Sequence, residues 1–298
     1  MKRKHIVIIS IILIIINSIY FLIRKISNPL ATDFTILTTL NEETPYNRTF
    51  KITENSKYST FNVNLDYQCN TKPSDLALCV FIDFEQVKFM VDDKEFEVYQ
   101  FKANEFSYSK TFEITLDNSL FKKNSVLGIQ FLRYNNDTIW KRIKVPMQFF
   151  AIYKIYNENG EPLQLATNIS NYGTSLNYEA DFTVKLNPKQ NLKINEADIQ
   201  YSFKCNPNED IEIPLYVNTK HNDILFFATL DNRQININGS PYLYYVNGQP
   251  GNLILDKIKF RSPETKGKYI INGYWLSQPW TSNQSNIYTT QKIELIVN

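Results

Sequence analysis

Phe61-Asn62-Val63-Asn64-Leu65-Asp66-Tyr67-Gln68 alternates apolar and polar residues without a break. Successive side chains of a strand point to opposite faces, so four apolar residues line one face and four polar residues the other. Such a strand has one packed and one wet face, as in antiparallel sheets covered on one side. The same period recurs in Phe112, Ile114, Leu116; in Leu127, Ile129, Phe131; and in Phe182, Val184, Leu186. It returns in Ile211, Ile213, Leu215, in Ile258 and Phe260, and in Ile293, Leu295, Val297. Beyond the first 25 residues, no stretch of ten or more carries a helical period.

Turn chemistry separates these runs. Asp92-Asp93, Asn135-Asn136-Asp137, Asn157-Glu158-Asn159-Gly160, Asn206-Pro207-Asn208, Asn238-Gly239 and Asn247-Gly248 supply residues that accept positive φ. Many short strands punctuated in this way predict antiparallel β-sandwiches. Roughly 270 residues beyond the N-terminal segment suffice for two cores. The expected division is a first sandwich over 33–160 and a second over 161–298. Asn157 to Pro162 marks the boundary, although it could also be a hairpin joining Phe149–Tyr156 to Leu163–Ile169. No sequence-level repeat relates the two halves.

The first 25 residues read differently. Lys2-Arg3-Lys4-His5 precedes an apolar run from Ile6 to Ile23, and Arg24-Lys25 closes it. A helix of this length spans roughly 27 Å, close to a hydrocarbon core of about 30 Å. The heavier basic flank is N-terminal, which predicts a cytoplasmic N-terminus and an extracytoplasmic C-terminal part. No small-x-small cleavage site follows the run, so residues 1–25 are expected to be an uncleaved single-span signal anchor. Residues 26–32 form a short linker.

Residues 1–25 hold five of the 32 basic residues and none of the 30 acidic ones. Residues 26–298 therefore hold 27 against 30, a net charge of −3. A nucleic-acid binder needs a basic folded face, and this balance offers none. Aromatics are 14% of the chain, which excludes a disordered stalk.

Near the C-terminus, a strand around Leu253–Phe260 leads through Ser262-Pro263-Glu264-Thr265-Lys266-Gly267 to a Tyr-bearing strand, Lys268–Trp275. A closing strand is expected from Ile287 to Val297. This 45-residue stretch resembles the end of a bacterial-type immunoglobulin-like domain. The resemblance implies that Tyr269 hydrogen-bonds back to the backbone at that corner. The disulfide-plus-tryptophan core common in such domains has no counterpart in the sequence.

Residues able to carry chemistry are few. His5 lies in the anchor flank and His221 in a polar turn, and no serine sits in a nucleophile elbow. No metal site or cofactor is expected: the eight glycines are scattered singly, and His and Cys do not cluster. Asn206-x-Asn208-Glu209-Asp210 is oxygen-rich but lacks a cation-loop pattern and reads as a polar turn. Asp83 and Glu85, flanking Phe84 on one strand face, are the sort of carboxylate pair that any acid-bearing chain offers. Cys69 and Cys79 flank a turn-like stretch. They would be bridged in an oxidising exterior, unless Cys79 is simply a buried apolar residue in Leu78-Cys79-Val80-Phe81. Cys205 is expected to be a free thiol.

One aromatic cluster stands out. Trp275 and Trp280 lie at the end of a strand and in the loop after it, with Tyr242, Tyr244 and Tyr245 in another strand of the same domain. Such rings either fill a sandwich core or form a platform for sugar rings or a protein partner. Trp280, beside Pro279 in a polar loop, is the one expected to be exposed. The whole reading is a membrane-anchored ectodomain without catalytic activity, a binding or scaffolding protein of the cell envelope or an accessory part of a membrane complex. Glycan or cell-wall binding is the alternative, and a carboxylate-dependent hydrolase comes third.

Overall fold

The structure, a computed structural model, describes residues 34–44, 49–52, 56–69, 74–103, 105, 107–133, 148–163, 184–186, 202–218, 223–245, 253–277, 279–280, 287–290 and 293–298. The first group of strands comprises β1 (Phe34–Leu40), β2 (Thr49–Ile52), β3 (Tyr58–Cys69), β4 (Ser74–Ile82), β5 (Glu85–Val87), β6 (Phe89–Val91), β7 (Lys94–Phe96), β8 (Tyr99–Ala103), β9 (Ser107–Asp117), β10 (Asn124–Arg133) and β11 (Gln148–Asn157). The second comprises β12 (Val184–Leu186), β13 (Ser202–Cys205), β14 (Asp210–Asn218), β15 (Ile224–Leu230), β16 (Arg233–Ile235), β17 (Leu243–Tyr245), β18 (Leu253–Arg261), β19 (Gly267–Ser277), β20 (Ile287–Thr289) and β21 (Ile293–Val297). One 3-10 turn, Asn118–Leu120, is the only helical element among the described residues. None of the described residues forms a helix long and apolar enough to cross a membrane, and Ile6–Ile23 lies outside them.

In the first group, a sheet in the order β1-β3-β9-β6-β7 faces a sheet in the order β2-β11-β10-β4-β5, with β8 also on β4. The quoted alternation decides which face of β3 turns inward. Phe61, Val63, Leu65 and Tyr67 are buried with Ile114, Phe112, Leu127, Ile129 and Phe131 in one core between the sheets. The Tyr153 hydroxyl crosses that core and donates to Thr38 O at 3.2 Å, so the two sheets are also pinned by a polar contact. Strand β2 runs parallel to the last strand, β11, while the other pairings are antiparallel. This is an immunoglobulin-like sandwich.

The second group repeats it. The sheet β13-β21-β19-β15-β16 has the same order of parallel first strand, last strand, and hairpin as β2-β11-β10-β4-β5. It packs Phe226, Ile271, Trp275, Ile293 and Leu295 against Ile211, Ile213, Leu215, Ile254 and Ile258 of β12-β14-β18. Tyr269 opens β19, and its hydroxyl donates to Thr265 O at 2.7 Å, the corner that the resemblance implied. In the first sandwich Ser125 holds the matching place on β10. It accepts from Lys122 N at 2.7 Å and donates to Asp83 Oδ2 at 2.9 Å.

Two local readings change. Asp83 and Phe84 are the centre of the β4–β5 hairpin, with φ of 52° and 66°, and not part of a strand. A phenylalanine in left-handed backbone costs roughly 1–2 kcal/mol. It is tolerated because its ring is buried (1% exposed) against Trp280. The expected closing strand is two pieces, β20 and β21, both paired to β19.

Candidate functional site

The five aromatic residues do not form an exposed platform. Tyr242, Tyr244, Tyr245 and Trp275 are all buried. Trp275 belongs to the core of the second sandwich and stacks on the half-exposed Tyr288 at 4.3 Å. Tyr245 faces the same core and donates to Asp256 Oδ2 at 2.8 Å. Tyr242, Tyr244 and Trp280 lie on the opposite face of that sheet. Trp280, expected to be exposed, is half-buried, edge-on to Phe84 at 5.2 Å and Tyr244 at 4.9 Å. Burial pushes the Tyr244 phenol up to about 12, and the nearby Asp223 carboxylate pushes the same way.

The cause is a third apolar cluster that sequence reasoning missed. The outer face of β4-β10-β11 packs on the outer face of β15-β17-β19, so the two sandwiches are docked sheet to sheet. Ala77, Cys79, Phe81 and Ile152 meet Leu225, Phe227, Tyr274 and Leu276 there. Phe227 lies 5.4 Å from Phe81 and stacks on Tyr274 at 4.9 Å. Gly128 has no side chain because a Cβ would lie 2.5 Å from the Phe150 ring, which fills that space.

The rim of the docked faces is closed by a reciprocal pair. Gln86 N donates to Gln234 Oε1, and Gln234 N donates to Gln86 Oε1, each at 2.5 Å. Gln86 Nε2 reaches Asn232 O, and Gln234 Nε2 reaches Phe84 O. Matched glutamines on two edge strands satisfy backbone groups that would otherwise stay open, and the reciprocity gives the interface an approximate two-fold axis. Arg233 and Glu97 add a rim ion pair at 3.6 Å, too exposed to contribute much.

Asp83 and Asp231 occupy equivalent hairpins beside this interface. Asp83 Oδ1 accepts from Val126 N and Asp231 Oδ1 from Ile270 N, both at 2.8 Å. Burial holds both carboxyls above their ordinary value of 3.8, and the hydrogen bonds they accept only partly offset it. A carboxyl with a raised folded pKa binds its proton more readily in the folded state. Both groups therefore oppose folding when ionised, and that penalty is relieved as the pH falls through the raised value toward 3.8. Asp83→Asn and Asp231→Asn keep the Oδ1 acceptor and remove the charge. Each should raise the urea midpoint at pH 7, with the gain shrinking as the buffer is made acidic. A gain independent of pH would mean that these carboxyls are not the titrating groups.

The remaining candidates are accounted for structurally. Cys79 is a buried free thiol in this structure, and the side chain of Cys69 lies outside the described ones. The Cys79 Sγ sits 3.8 Å from Asn232 O in the docked faces, and burial pushes it well above the ordinary thiol range, so it is not nucleophilic. Cys205 is free and buried, as expected. Glu209 accepts from Asn206 N at 2.6 Å and Asn206 Nδ2 at 3.1 Å, which makes the oxygen-rich segment a self-bonded turn. His221 lies outside the described residues.

No protein-family model and no curated protein matches the chain. Among solved structures it is similar to the fibronectin(III)-like modules of CbhA from Clostridium thermocellum, at 9% identity and a TM-score of 0.23, over 88% of this chain and 94% of that one. It is also similar to the C-terminal domain of the AgI/II polypeptide BspA of Streptococcus agalactiae, at 6% identity and a TM-score of 0.25, over 88% and 100%. A third is the CooA pilin subunit of enterotoxigenic Escherichia coli, at 15% identity and a TM-score of 0.23, over 39% and 99%. At these scores none of them assigns a ligand or a role.

Proposed function

We propose that the chain is a membrane-anchored, extracytoplasmic binding and scaffolding protein that performs no catalysis. The observation that carries this reading is the docking of the two sandwiches through a continuous apolar interface. It converts tandem domains into one stiff unit that can hold partner-binding surfaces at a fixed geometry beside a membrane. The hairpin carboxyls Asp83 and Asp231 support it as well. One oxygen of each accepts from a backbone N–H within the fold, a hairpin-capping role that accounts for both residues without catalysis. The Ile6–Ile23 run and its basic flanks support a single span with the N-terminus inside.

The test is to express the full chain with a C-terminal tag, solubilise membranes in mild detergent and identify what co-purifies. Alkaline extraction and protease accessibility of the tag in intact cells come first. The expected result is an extraction-resistant protein, with the tag cleaved from outside and a defined partner retained at stoichiometric level. Release by alkali, a tag protected in intact cells, or a protein that runs alone in every detergent would sink the proposal.

A further inference from the structure

The turn Ile237-Asn238-Gly239-Ser240 lies between β16 and β17. Ile237 N donates to Ser240 O at 2.8 Å and Ser240 N to Ile237 O at 3.0 Å, with φ of 54° at Asn238 and 78° at Gly239. Positive φ at both central residues is the type I′ hairpin turn, which asparagine and glycine adopt at little cost. Ile237 is fully buried in the core of the second sandwich, while Asn238 and Gly239 are exposed. Nothing lies within 4 Å of where a Cβ on Gly239 would stand.

Asn238 does more than turn the chain. β16 and β17 pair with β15 in one sheet, whereas β18 is the end strand of the opposite sheet, β12-β14-β18. Asn238 reaches the edge of β18 with its backbone and both side-chain polar atoms. Its N donates to Lys259 O at 2.9 Å, its Nδ2 donates to Lys257 O at 2.9 Å, and its Oδ1 accepts from Lys259 N at 2.7 Å. One residue thus satisfies backbone groups on an edge strand and fastens the two sheets of the sandwich together.

The same residue carries a reactive bond. An asparagine followed by glycine cyclises because no side chain shields the glycine nitrogen. Gly239 N attacks Asn238 Cγ, the Cγ–Nδ2 bond breaks, and Nδ2 leaves as ammonia with the proton lost from Gly239 N. Water then opens the succinimide at either carbonyl, giving aspartate or isoaspartate and a released proton. The fold opposes the first step twice. In a type I′ turn ψ of the first central residue is about +30°, which sets Cβ and the next nitrogen on opposite sides of the Cα–C bond, whereas ring closure needs them on the same side. The bonds that hold Oδ1 and Nδ2 on β18 also keep the amide from turning. We infer that Asn238 is a deamidation site gated by the fold: it reacts when the turn lifts off β18, and the reaction unfastens the two sheets. Aspartate replaces the Nδ2 donor with an oxygen facing Lys257 O. Isoaspartate reroutes the main chain through the side chain and destroys the two-residue turn.

The full chain in detergent at mildly alkaline pH tests it, with tandem mass spectrometry following conversion at residue 238. Conversion should be at least about tenfold slower in the folded chain than in guanidinium chloride, the protection given by net hydrogen bonds that must open first. Lys259→Pro removes the N–H given to Oδ1, on a strand edge where proline is tolerated, and should raise the folded rate severalfold. Lys259→Ala keeps that N–H and loses the ion pair with Glu212, and should react as the wild type does. Asn238→Asp should melt below the wild type. Equal rates in the folded and denatured wild type overturn the inference, as does a folded Lys259→Pro chain that reacts no faster than Lys259→Ala. If Lys259→Pro does not fold, the wild-type comparison in and out of denaturant decides the gating. An Asn238→Asp chain that melts with the wild type overturns the claim that the reaction unfastens the sheets.

Discussion

Phe227→Ala should split one thermal transition into two. Phe227 is fully buried, yet it belongs to neither sandwich core. Its ring sits between the two docked sheets, against Phe81, Phe150 and Tyr274. Truncating a buried phenylalanine costs about 3–5 kcal/mol. The cores on the inner faces are untouched, so most of that loss falls on the coupling between the domains. Calorimetry should show one transition for the wild type. The variant should show two resolved transitions, with an unchanged circular dichroism spectrum at 20 °C. Phe226→Ala, one residue away but in the inner core, should instead lower the stability of the second sandwich itself. A Phe227→Ala protein that still melts in a single transition, merely earlier, would show that the docked interface does not set the cooperativity.

The alternating strands were legible because burial on one face writes itself as a period of two. Phe61 to Tyr67 and Ile211 to Leu215 turn inward as that pattern requires. The docked interface was harder to see, although it left a trace. Leu76-Ala77-Leu78-Cys79-Val80-Phe81-Ile82 and Ile224-Leu225-Phe226-Phe227-Ala228 are apolar at every position, the mark of strands covered on both faces. Reading Leu78–Phe81 as merely buried missed the second cover. The polar loop around Trp280 predicts exposure, whereas its neighbours Phe84 and Tyr244 come from two different sandwiches. The repeat was illegible for another reason. Phe50 matches Phe203, Asp83 matches Asp231, Gln86 matches Gln234, and Ile129 matches Gly273. The offset between matched residues falls along the chain from 153 to 148 to 144 as the intervening loops change length, so no fixed period exists to be found.

That last pair carries the second large effect. Gly273→Ile should destabilise the second sandwich by about 3 kcal/mol, toward the upper end of typical overpacking. Isoleucine is nevertheless what the first sandwich uses at the equivalent place. There Ile129 pairs with Val80, and the next level inward is Phe131 with Leu78. In the second sandwich Gly273 pairs with Ala228, and Trp275 with Phe226. The volume has moved along the strands: two larger rings occupy one level and empty the adjacent one. A Cβ on Gly273 would lie 2.8 Å from the Phe226 ring, 3.0 Å from Leu186 Cδ1 and 2.6 Å from Thr290 Oγ1. The clash is therefore with a neighbour's side chain more than with the fold, and Phe226→Leu should relieve part of it. The double variant should recover about half of the loss in urea unfolding, since the Thr290 contact persists. If Phe226→Leu adds its own destabilisation with no recovery, the crowding comes from Thr290 beside β20, and the exchange of volume between the two cores is not what keeps residue 273 a glycine.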